Sequence, residues 1–116
     1  MVNMDIVKYF CETVVIGLPE SPFPFLYQLR QRRGRRVHVF LARRYLPFYL
    51  SPLAIPHPLP ADGCADISLL RLLDFAESCG DKVLTLIPST PEAEAFVAAH
   101  REALETAYII QNKDFQ

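Results

Sequence analysis

Proline limits what this chain can fold into more than any other residue. Ten prolines occur in 116 residues, and each removes a backbone donor and locks φ. Four of them (Pro52, Pro56, Pro58, Pro60) fall within 51–63, a stretch that ends in Asp62-Gly63. It reads as an extended connector inside one domain spanning 1–116. Pro22 and Pro24 predict a break in regular structure over Ser21 to Pro24. Pro47 confines Tyr45 to Leu50 to a short edge strand or a strand end.

The segments between these breaks carry the predicted elements. Thr13, Val14, Val15 and Ile16, followed by Gly17 and Pro19, indicate a strand near 10–17, with a helical start before it. Phe25 to Arg30 is strand-like, Arg32-Arg33-Gly34-Arg35 is turn-like, and Val37, Val39 and Leu41 alternate. That pattern predicts a β-hairpin. Asp66 is placed to cap a helix running to Cys79, with Gly80 as its stop. Leu69, Leu72, Leu73, Ala76 and Cys79 share one side of that helix. Lys82 to Ile87 reads as a strand closed by Pro88. Ser89 or Thr90 caps a second helix with Pro91 in its first turn, where a missing N–H costs nothing. Phe96, Val97, His100, Ala103, Leu104 and Ala107 form its inner stripe, and Tyr108 to Gln111 a last strand. The order β-β-β-(β)-α-β-α-β predicts an α+β fold, a mostly antiparallel mixed sheet with two helices packed on it.

Several function classes are disfavoured. No run approaches 18 apolar residues, so no membrane-spanning helix is expected, and Met1 to Phe10 lacks the apolar core of a secretory signal. Cys11, Cys64 and Cys79 form no C-x-x-C pair, which argues against a disulfide framework or structural zinc and fits a cytoplasmic protein with reduced thiols. His38, His57 and His100 have no acid or cysteine at ligand spacing. His100 falls on an apolar stripe, and His57, among prolines, reads as exposed. The four glycines (Gly17, Gly34, Gly63, Gly80) are isolated, so no glycine-rich phosphate loop is expected. No catalytic residue, cofactor or metal is expected.

Charge is unevenly spread. Residues 1–61 carry eight Lys/Arg and three Asp/Glu, and residues 62–116 carry four and ten. The basic half contains Arg30, Arg32, Arg33, Arg35 and Arg36, with Arg43 and Arg44 beyond. On a hairpin over 30–44 these residues form either a nucleic-acid patch flanked by Tyr27, Phe40 and Tyr45, or a solvated tip that resists edge pairing. The sequence pI of about 6.3 lies below that of a typical nucleic-acid binder. Leu70, Asp74 and Glu77 stack at i, i+4 and i+7, an apolar contact beside two carboxylates. They read as a solvated acidic face or as a docking strip for a basic partner. A third expectation is an oligomeric adaptor that pairs edge strands with another chain.

The stretch Leu72-Leu73-Asp74-Phe75-Ala76-Glu77 resembles the helix motif of the ornithine decarboxylase antizyme family. Leu59-Pro60-Ala61-Asp62-Gly63 before it, Val83-Leu84-Thr85-Leu86-Ile87-Pro88 after it, then Glu92 and Tyr108-Ile109-Ile110, are similar to the flanking elements. Val39-Phe40-Leu41 and Phe48-Tyr49-Leu50 extend the likeness to about residues 37–111. The resemblance implies an antizyme and acetyltransferase type of fold. It also implies a non-catalytic inhibitor in polyamine metabolism that binds a decarboxylase monomer and blocks its homodimerisation. The family's acidic contact residues fall on Asp74 and Glu77; Ser78 stands where the family has a further glutamate.

Overall fold

The computed structural model describes residues 11–17, 22–33, 37–42, 54–60, 64–80 and 82–111. Five strands form one sheet in the order β3-β2-β1-β4-β5, every neighbour pair parallel. The strands are β1 (Cys11–Ile16), β2 (Val37–Leu41), β3 (Ala54–Pro58), β4 (Val83–Pro88) and β5 (Ile109–Ile110). Four helices connect them: α1 (Pro22–Arg33), α2 (Ala65–Ser78), α3 (Pro91–Ala99) and α4 (Arg101–Glu105). This all-parallel sheet overturns the expectation of a mostly antiparallel one carrying two helices.

Parallel strands are covered on both faces, so they bury consecutive residues rather than alternate ones. Glu12 to Ile16 and Leu84 to Pro88 are buried without interruption. On one face Val14, Ile16, Phe40, Leu84 and Leu86 pack with Leu72 of α2, Val97 of α3 and Leu104 of α4. On the other, Val15, Val37, Val39, Leu41 and Ile87 pack with Leu26 and Leu29 of α1. The chain steps from β1 to β2 in one direction and from β4 to β5 in the other. Crossovers of one hand must then put their helices on opposite faces, as found here.

The hairpin over 25–41 is not formed. Residues 22–33 are helical and β2 pairs with β1, parallel, through Val14↔His38, Val15↔Val39 and Ile16↔Phe40. Pro22 and Pro24 open α1 instead of breaking structure, because the first four N–H groups of a helix have no internal partner to lose. Leu26 and Leu29, three apart, are both buried, whereas Tyr27, Gln28 and Arg30 are exposed. Arg30, Arg32 and Arg33 therefore belong to a helix and not to a hairpin strand and its tip. Arg30 is exposed on α1, the side chains of Arg32 and Arg33 lie outside the described residues, and so do Arg35 and Arg36.

The connector expected over 51–63 contains β3. Leu59 N–H donates to Leu41 O at 2.9 Å, so odd-numbered residues of this segment face β2. Pro56 and Pro58 then point their missing donors away from β2, at the edge of the described sheet, where proline is tolerated. The strand expected over 45–50 and the helical start before residue 10 lie outside the described residues.

The C-terminal half follows its pattern more closely. Gly80 ends α2 with φ +65, but the N-cap is Cys64 and Asp66 sits in the first turn. Thr90 caps α3, its Oγ1 accepting from Ala93 N–H at 3.1 Å. The single helix expected beyond it divides at His100 (φ −119, ψ 22) into α3 and α4.

Candidate functional site

In a doubly wound sheet, ligands bind beyond the carboxyl ends of the strands, where consecutive connections leave in opposite directions. That point falls between β1 and β4. A crevice of about 210 Å³ opens there. Ile16 and Gly17 (end of β1), Phe40 to Ala42 (end of β2) and Leu59 and Pro60 (after β3) form its floor and one wall. Ser68 of α2 and Thr90, Glu92, Ala93 and Phe96 of the α3 region form the rest. The volume is below the roughly 300–1,000 Å³ usual for drug-sized ligands.

The loops around the crevice are tied to each other. Ser89 N–H and Ser89 Oγ–H both donate to Ile16 O at 2.9 Å. Gly17 N–H donates to Phe40 O at 2.9 Å. Gly17 adopts φ +97, and a Cβ there would stand 2.9 Å from Thr90 Oγ1. Only glycine accepts both the conformation and the contact.

A polar chain crosses the sheet face covered by α2. Lys82 Nζ–H donates to Glu12 Oε1 at 3.0 Å, and His38 Nε2 lies 3.3 Å from Glu12 Oε2. His38 Nδ1 lies 2.9 Å from His57 Nε2. The four groups join the start of β4 to β1, β2 and β3. Glu12 is 5% exposed, so its carboxylate needs these partners. A carboxylate only accepts, which puts the His38 proton on Nε2. The His38 Nδ1–His57 Nε2 contact is a single hydrogen bond whose direction follows the protonation of the two rings. The His57 ring stacks on Phe40 at 4.5 Å and meets Phe75 of α2 edge-on at 5.0 Å. Burial, then the neighbouring His38, pushes its pKa down to about 4.

His57 is thus half-buried and partnered rather than exposed. Together with Arg71, Asp74 and Phe75 it lines a shallow second depression, and Arg71 donates to Pro58 O at 2.7 Å. His100 bonds the Phe96 carbonyl at 3.1 Å and lies against its ring at 4.7 Å, a local structural role.

Leu70, Asp74 and Glu77 are exposed on α2, as their spacing implied. Leu70 is 56% and Ile67 43% exposed. This strip lies apart from the crevice. Sequence reasoning missed Gly17, Ser68, Thr90 and Glu92 as neighbours and missed the whole Lys82–Glu12–His38–His57 chain. One signal for the crevice was present: two apolar runs, ending at Ile16 and at Ile87, each lead through a short loop into a proline-opened helix.

Among the described residues no three His, Cys, Asp or Glu side chains are grouped to hold a metal, and no helix is long and apolar enough to cross a membrane. Compared with protein-family models, with curated proteins and with solved structures, the chain matches none.

Proposed function

We propose that this chain is a ligand-binding domain whose carboxyl-end crevice holds a small molecule. One observation carries the reading: the ends of β1 and β2, the segment after β3 and the start of α3 converge on one partly apolar crevice at the switch point. The reading is of binding, not of catalysis. A fragment screen by amide NMR on the full chain tests it. Hits shift the amides of Gly17, Ala42 and Ala93, and Ala42→Trp, at an exposed rim position, abolishes them. Fragments that shift only residues remote from the crevice overturn the reading.

A second reading rests on α2. Ile67 and Leu70 expose apolar surface beside Asp66, Asp74 and Glu77, a composition suited to a basic protein partner. The antizyme-like form of this reading makes that partner a decarboxylase monomer. Light scattering on a mixture with ornithine decarboxylase tests it, a one-to-one heterodimer being the expected product. An unchanged enzyme dimer overturns it.

A further inference from the structure

Sheets with this strand order commonly hold phosphate, because free N–H groups at the first strand-to-helix turn point at the ligand and glycines let it approach. Among the described residues of this chain, several of those devices are already engaged. Gly17 N–H is bonded to Phe40 O and Ser89 N–H to Ile16 O. Ala93 N–H is bonded to Thr90 Oγ1. Pro22, Pro24 and Pro91 have no N–H, and they occupy the first turns of α1 and α3. The space over Gly17 is filled as well, since a Cβ would meet Thr90 Oγ1 at 2.9 Å and Ser89 Oγ at 3.2 Å. Here the glycine lets two loops of the protein meet, and a pyrophosphate has no room at that point.

The charge has the wrong sign for phosphate. Glu92 is the one charged side chain among the described residues that line the crevice. It stands in the first turn of α3. A phosphate entering beside it meets a carboxylate. Ile16, Phe40, Leu59 and Phe96 offer apolar wall on the other sides, and the hydroxyls of Ser68 and Thr90 add polar contacts.

We infer that the crevice selects a small apolar amine, its ammonium group held at Glu92 and its hydrocarbon body against Phe40 and Phe96, and that it turns nucleotides away. This rests on the crevice being the ligand site. Arg43 and Arg44 follow Ala42 in the sequence, outside the described residues, so a carboxylate ligand is the competing case.

The test uses the full chain at pH 7 and four probes: 4-fluorobenzylamine, the neutral 4-fluorobenzyl alcohol, 4-fluorobenzoate and ATP. Fluorine NMR reads affinity and amide NMR reads location. The amine is expected to bind at Gly17, Ala42 and Ala93 at least tenfold more tightly than the alcohol, with benzoate and ATP weaker still. Glu92→Gln, at an exposed position, brings the amine level with the alcohol and leaves the alcohol unchanged. If amine and alcohol bind the crevice equally and Glu92→Gln changes nothing, the ligand class is wrong and the crevice reading stands. Tighter benzoate or ATP binding also overturns the class. If no probe perturbs the crevice amides, both readings fall.

Discussion

His38 and His57 meet Nδ1 to Nε2 at 2.9 Å across the β2–β3 pair, and His38 carries the contact on to Glu12. The bond fastens an edge strand to the buried carboxylate of a central one. Burial there, then the neighbouring His38, disfavours a charged His57.

Acid should therefore loosen the fold. The pKa of His57 is lowered to about 4 from 6.5, so the unfolded chain takes up a proton at higher pH than the folded one. Its contribution is complete above about pH 6.5 and is lost as pH falls from there towards 4. The bare shift corresponds to about 3 kcal/mol, which solvent at a half-buried ring reduces to about 1–2 kcal/mol. Urea denaturation at pH 7 and pH 4.5 should show this loss in the native chain and a smaller one in His57→Phe. Equal losses in both would remove His57 from the account.

Tyr108 makes the opposite prediction in alkali. Its phenol is buried and donates to Leu72 O, and burial raises its pKa. Because the unfolded phenol ionises near pH 10, the stability it supports is lost as pH rises through that value. A spectrophotometric titration should find one tyrosine that ionises only as the chain unfolds. Tyr108→Phe should cost about 1–2 kcal/mol. A native chain whose tyrosines all titrate normally contradicts this placement.

Gly17→Ala should destabilise the chain by about 1–3 kcal/mol, through a positive φ and contact with Thr90. Thr90→Ser removes the methyl group 3.1 Å from the added Cβ and keeps the capping hydroxyl 2.9 Å from it, so the double variant should recover only a fraction of the contact cost. Complete recovery would mean that the backbone at Gly17 is not strained.

Asp74→Lys with Glu77→Lys should leave thermal stability within about 0.5 kcal/mol of the native chain, because both side chains are exposed. Circular dichroism melts check this. A large loss would show that the strip on α2 supports the fold and is not a free surface.

The local pattern around Thr90-Pro91 and Gly80 was legible because capping residues act within four positions of where they sit. The N-terminal half was not. Pro22 and Pro24 signal a break and a helix start equally well, and the two burials that decide the matter, Leu26 and Leu29, are too few to set a period. Pro56 and Pro58 hid a strand because a proline's tolerance depends on which edge it faces, and that is set by pairing with β2. The unbroken apolar runs at Thr13–Ile16 and Leu84–Ile87 did carry the mark of a parallel sheet. The polar chain was beyond reach: Lys82 and Glu12 are 70 residues apart, and His38 and His57 are 19 apart. Only the crossovers bring them together.

Proline at alternate positions of β3 also gives the sheet a direction of growth. An added strand needs donors along the border it joins, and the β3 border lacks them at Pro56 and Pro58. At the other border, β5 is two residues long and Ile109 is 56% exposed. Among the described strands, the β5 border carries no proline and is the one on which a neighbouring polypeptide meets no missing donor. The described sheet is blunt at one flank and extensible at the other.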